Sequence, residues 1–228
     1  MGQQNLNEYF TDLLQKVDLQ IQDFEDNNND PFSLCKQVID YLQEIIGELK
    51  AFIISYSFSS KEEEIYFFKE QKPIIASKII YYNTVYQFEL RFPNGSEETQ
   101  KEFIMAETDR ILAHFQRNIS FYQYYRTKAT YLDHKYFLRG KPDIHILIDN
   151  FYYEADPQFS TSYDYKVAKI LAIELFAIYL TNRLNELERR FQRQQVKNGN
   201  IKKLLRWTGT KRALVELIYA LYTNGDFN

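Results

Sequence analysis

A single cysteine, Cys35, stands among 228 residues, so no intrachain disulfide forms and a reducing, cytosolic compartment is the expectation. Histidine is equally sparse. His114, His134 and His145 share no helical or loop spacing of the kind zinc sites use, and no metal site is expected. With 7 glycines and 5 prolines the chain has few turns and favours long helices. No glycine-rich phosphate loop and no GxSxG nucleophile turn occurs, and no other catalytic signature stands out, so an enzyme is not expected and no cofactor is implied. Asp133-His134 is the nearest approach to an acid–base pair. Adjacent helical residues do not face each other, and the dipeptide reads as solvated. Long apolar runs are missing too. The richest, VAKILAIELFAIYL (167–180), is interrupted by Lys169 and Glu174 and falls short of the ~20 residues of a membrane span. The N-terminus MGQQNLNEYF has no signal-peptide pattern, and Leu6 stands where a myristoylation site needs Ser or Thr.

What the chain has in abundance is aromatic side chains: 19 Tyr and 18 Phe, with one Trp. Hydrophobic residues make up 45%, enough for a sizeable core. The pattern predicts an all-α, multi-helix bundle. Leu6, Phe10, Leu13, Leu14, Val17, Leu19, Ile21 and Phe24 mostly follow helical spacing. Asp30 then caps a second helix with Pro31 at its first position, and the short break between them predicts a hairpin. Ser59 or Ser60 caps a third helix whose acidic start at 62–64 suits the macrodipole. Pro73 should restart or kink the chain, and 74–92 reads as helix. Ser96 caps the next helix, with Phe103, Ala106, Ile111, Leu112 and Phe115 on one face. A minor extended segment is expected near 143–154. Thr161 or Ser162, helped by Asp164, then caps the longest helix, of more than about 30 residues or about 45 Å. VKNGN (196–200) reads as a linker before a short helix, IKKLLRW, and a last helix capped by Thr210 and closed by Gly225.

Net charge is -3, so the whole chain is no polycation and any nucleic-acid surface must be local. Charge is unevenly placed. Up to Asp30, seven acids face Lys16 alone. From 183 to 212 the balance inverts: Arg183, Arg189, Arg190, Arg193, Lys197, Lys202, Lys203, Arg206, Lys211 and Arg212 are opposed only by Glu186 and Glu188. Such a run attracts phosphate. A helix C-terminus also suits cations, but the dipole accounts for a few of them and not for the run.

The stretch FYQYYRTKATYLDHKYFLRG (121–140) alternates rings with cations. Exposed, that composition would stack bases. Phe121, Tyr124, Tyr125, Leu132 and Tyr136 approximate helical spacing, which predicts packing, with Arg126, Lys135 and Arg139 over ring faces. A binding role would need Tyr122 or Tyr131 exposed beside Lys128.

Three segments, YYRTKATYLDHKYFLRGKPD, FSTSYDYKVAKILAIEL and LRWTGTKRALVELIYALYTNG, resemble the RteC family in order and content, densely over the last half of the chain. These are regulators carried by conjugative transposons of Bacteroides-type bacteria and associated with tetracycline resistance. The resemblance implies a DNA-binding transcription regulator that promotes excision and transfer genes. It implies a helical N-terminal domain (1–197) and the beginning of a winged-helix or helix-turn-helix domain (198–228), with TKRALVELIYALYTNG as the first helix of the motif. In such a motif the second helix enters the major groove. Family members continue past the position of Asn228, so the base-reading helix is expected to be missing and no base contact is transferred. Lys202, Lys203, Arg206, Lys211 and Arg212 are the candidate phosphate contacts, and promoter DNA the expected partner. The competing reading is a helical interaction or dimerisation scaffold that touches no nucleic acid and binds a protein partner or a second copy.

Overall fold

The computed structural model describes residues 5–140 and 156–197, with side chains through 193. Every regular element among them is helical. By its internal contacts the chain divides into two units, Met1–Glu186 and Leu187–Asn228. The extended segment expected near 143–154 lies outside the described residues, as do the two helices expected after the linker.

Helix α1 (Leu6–Asn27) starts where the Asn5 side chain accepts from the Asn7 N–H at 2.9 Å. It buries Leu6, Phe10, Leu13, Val17 and Ile21, one residue per turn along a single stripe. Leu19 does not join them and stays 66% exposed, because it falls off that stripe. Asp30 caps α2 (Pro31–Ser55), accepting from Ser33 N–H at 2.8 Å, with Pro31 at the first position as the sequence predicts. The buried face of α2 runs Cys35, Val38, Leu42, Ile45, Leu49 and Ile53. It packs on α1 and, more extensively, on α4.

Ser60, the second of the two expected caps, starts α3 (Lys61–Tyr66), accepting from Glu63 N–H at 3.2 Å. Pro73 neither restarts the chain nor breaks it. A π-helical turn, Phe67–Gln71, joins α3 directly to α4 (Lys72–Arg91), and Lys72 N–H bonds back to Phe67 C=O. Proline lacks the N–H for the next bond and its ring crowds the carbonyl four residues earlier; widening the preceding turn relieves that conflict. The widened turn is buried: Phe67, Phe68, Lys69 and Gln71 all face inward, followed by Lys72 and Pro73.

Ser96 caps α5 (Glu97–Arg117), accepting from Thr99 N–H at 3.3 Å. Its inward face differs from the expected one. Ile104 and Glu107 are buried, while Ala106 and Leu112 point outward. The reason is Glu107, whose carboxylate accepts from Arg91 at 3.0 Å and from Arg110, so an ion-paired acid occupies a position that hydropathy assigns to the surface.

Helices α6 (Ile119–Arg126) and α7 (Asp133–Tyr136) are short, and α8 (Asp164–Lys197) spans 34 residues, which takes in the first two residues of the expected linker. Of the two expected caps of α8, Thr161 is not one. Tyr163 supplies the carbonyl of the first helical bond, to Val167 N–H at 3.1 Å, and Thr161 Oγ1 is buried without a partner. Aromatic clusters tie these helices together. Phe88 of α4 touches Phe92, Phe103, Phe176 and Tyr179, and Phe121, Tyr124, Tyr136 and Tyr163 form a second group in which Tyr136 and Tyr163 stack at 3.7 Å.

Candidate nucleic-acid interface

The basic run does not behave as one surface. Arg183, its first member, is committed inside the fold. Its Nε lies 3.0 Å from Glu89 Oε1, its Nη2 3.3 Å from Glu89 Oε2, and its guanidinium 4.6 Å from the Phe92 ring centre. Tyr179 OH donates to the same carboxylate at 2.6 Å. A guanidinium held by two oxygens and an aromatic face is a framework group.

Arg189, Arg190 and Arg193 are different. All are exposed on the last turns of α8. Residues three and four apart share a helix face, so Arg193 lies beside both of the others. Lys197 follows at the same four-residue interval in the helix. These cations precede Lys202, Lys203, Arg206, Lys211 and Arg212 in the chain. The five candidate phosphate contacts lie outside the described residues.

Sequence reading passed over two buried lysines, of which Lys69 anchors the ring-rich stretch 121–140 and Lys72 the residues that lead into α8. Lys69 Nζ donates to Asp133 Oδ1 at 2.8 Å and to Ala129 C=O at 2.9 Å, and lies 5.3 Å and 5.7 Å from the ring centres of Tyr124 and Phe137. Tyr124 OH donates to the same Asp133 oxygen. Burial first, then that hydrogen bond, pushes the Tyr124 phenol far above its ordinary pKa. Three residues on, Lys72 Nζ donates to Asp164 Oδ2 and to Phe159 C=O, both at 2.5 Å, with the Phe159 ring centre 4.3 Å away. Asp133 is therefore no solvated dipeptide partner of His134. It is buried and neutralised by Lys69, while His134 is exposed. Likewise Asp164 anchors Lys72, beyond its bond from Tyr165 N–H at 2.8 Å. The available signal was IYFFKEQKPII: two lysines three apart on one helix face, flanked on both sides by apolar residues.

The expected cation–π contacts are present. Arg126 lies 5.4 Å from the Tyr122 ring, Lys135 6.0 Å from Tyr136, and Arg139 5.0 Å from Phe58. Phe121, Tyr124, Tyr125, Leu132 and Tyr136 are buried or half-buried, so the stretch is framework for the most part. Tyr122 is half-buried and donates to Glu174 at 3.3 Å. Tyr131 is the exception, 77% exposed, and Lys128 is exposed on the same turn.

No curated protein and no solved structure matches this chain. Residues 66–228 match the family model of the RteC protein. The match begins at the last residue of α3 and takes in Lys69, Lys72, Asp133, Asp164, the exposed arginines of α8 and the five C-terminal cations. The chain belongs to the RteC family.

Proposed function

We propose that this chain is a DNA-binding transcription regulator of a mobile genetic element, acting in the cytoplasm to promote the excision and transfer genes of a conjugative transposon. Family membership supports the element and the regulatory role. The observation that carries the DNA contact is the exposed face of Arg189, Arg190 and Arg193, set at the end of a long helix and immediately before Lys202, Lys203, Arg206, Lys211 and Arg212. Among the described residues, neither Arg189, Arg190 nor Arg193 has the carboxylate partner that Arg183 has. Cations left in water at a surface release counterions from DNA on contact. In this reading residues 198–228 begin a winged-helix-like domain, and the five cations hold phosphates, with no base contact assigned to this chain.

Fluorescence anisotropy with a labelled duplex from the promoter of the excision genes tests this. Affinity should fall steeply with salt, and replacing all five cations by Gln should flatten the dependence by about 0.9 in log–log slope for each phosphate no longer neutralised. Unchanged affinity and slope in that variant would remove the assignment.

A scaffold role is favoured by one observation: Leu175 and Ile178 of α8 stand 40% and 60% exposed within one turn of each other. Light scattering separates the readings, since a strict monomer at all concentrations leaves no self-association for that face to mediate.

A further inference from the structure

We propose that the turn at 127–132 is a second phosphate contact for duplex DNA, with Lys128 and the Tyr131 hydroxyl as its gripping groups. The proposal rests on the DNA-binding reading above and adds to it a site in the helical domain, far along the chain from the C-terminal cations.

Local charge favours an anion at this turn. Residues 119–140 contain one carboxylate, Asp133, against Arg126, Lys128, Lys135 and Arg139. That carboxylate is buried on Lys69 and Tyr124. The water-facing part of the stretch therefore presents cations, hydroxyls and His134, in a chain that is acidic overall. Glu62 faces His134 from α3, Glu64 is engaged by Arg139 at 2.7 Å, and Glu70 and Glu174 act on Tyr125, so these acids border the patch beside the turn. Arg126 is held to the Tyr122 hydroxyl at 2.6 Å, which leaves Lys128 as the cation projecting from the turn itself.

The backbone points the same way independently. Lys128 N–H bonds to Tyr125 C=O at 3.0 Å and Ala129 N–H to Tyr124 C=O at 3.1 Å, the Schellman pattern that ends a helix. The first of these two residues must take a left-handed conformation, and Lys128 has φ 53°. Glycine normally occupies that position because it has no Cβ to clash. A lysine there is sterically disfavoured and serves no packing purpose, since its side chain is exposed. Disfavoured backbone held in place by its surroundings is a mark of functional turns. Here the surroundings are visible: Lys69 ties Ala129 C=O and Asp133 to the π-helical turn on either side of Tyr131. The buried ion pair fixes the turn from which Lys128 and Tyr131 are exposed.

The chemistry selects phosphate over base. Stacking surfaces for single strands present successive rings along a groove. Here Phe121, Tyr124 and Tyr136 are turned inward and only Tyr131 stands out, resting edge-on against Tyr124 with ring centres 5.3 Å apart. One hydroxyl donor and one ammonium on adjacent points of a rigid turn suit neighbouring phosphates of a duplex.

Anisotropy titrations of the full chain on a random-sequence duplex, and on a poly(dT) strand of matched length, decide the matter. The variants are Lys128→Gln, Tyr131→Phe, the pair combined, and Lys128→Gly, which removes the charge while relieving the backbone. The combined variant should bind duplex severalfold more weakly, and Lys128→Gln alone should flatten the salt slope by about 0.9. The thermal midpoint should not fall in any of them. Unchanged affinity and slope would overturn the role of the turn, and if the Gln variant of the five C-terminal cations still weakens binding, the proposed function stands without it. Preference for poly(dT), kept by Tyr131→Phe and abolished by Tyr131→Ala, would replace phosphate contact with stacking and equally overturn it. If the parent chain binds neither probe, both readings fall.

Discussion

Lys69 Nζ meets Asp133 Oδ1 at 2.8 Å across a separation of 64 residues, and both side chains are buried. The pair draws the helix–turn–helix at 119–136 onto the π-helical turn. Removing one charge strands the other in a poorly solvated place. Lys69→Met or Asp133→Asn should therefore lower unfolding free energy by about 3–5 kcal/mol, while Lys69→Met combined with Asp133→Leu should recover much of the loss. Urea unfolding followed by circular dichroism measures all three. A double variant that costs as much as the two single changes added together would mean that the pair is not coupled.

Arg183 and the arginines beyond it should separate cleanly by experiment. Arg183→Gln leaves the Glu89 carboxylate short of a partner and should cost about 3 kcal/mol of stability, with no change in the salt slope of DNA binding. The triple change of Arg189, Arg190 and Arg193 to Gln should shift stability by no more than about 0.5 kcal/mol and flatten the slope. Urea unfolding and anisotropy on the same samples show whether the two effects exchange.

Lys128→Gly should stabilise the protein. A left-handed non-glycine residue costs about 1–2 kcal/mol, against about 0.5–1 kcal/mol of extra chain entropy for glycine, leaving a net gain of about 0.5–1 kcal/mol. Lys128→Ala, which keeps the Cβ, should give no such gain in the same urea titration.

High pH should unfold the protein through its tyrosines. Burial, and to a lesser degree nearby acids, pushes Tyr81 and Tyr125 up to about 12. Tyr82 and Tyr179 are raised further by burial and by donating to Glu25 and Glu89. These phenols keep protons in the native state that the unfolded chain releases above about pH 10. Their stabilising contribution is thus complete below pH 10 and is lost as pH climbs toward 12. Ultraviolet absorbance of tyrosinate should rise together with loss of helical circular dichroism. Full ionisation near pH 10 with the helices intact would contradict it.

The helix pattern was legible because it is local. Asp30-Pro31, Ser60 and Ser96 each mark a start through bonds made within three residues, and the stripes of α1 and α2 repeat every turn. The buried, ion-paired places of Glu107, Asp133 and Asp164 were not legible, for the opposite reason. A carboxylate reads as surface until its partner is known, and Arg91, Lys69 and Lys72 lie 16, 64 and 92 residues away in the chain. The charge run from Arg183 was visible as composition, but Glu89, which withdraws Arg183 from it, lies 94 residues earlier.

By itself the sequence determined an all-helical chain rich in packed rings, the positions of most helix starts, the uneven distribution of charge, and membership of the RteC family. Those depend on periodicity, on short-range capping and on residue order. Only the tertiary structure decided which charges are spent. A lysine and an aspartate far apart in sequence become one neutral buried unit only when packing brings them together, and a cation stays available to phosphate only where no carboxylate has been folded against it.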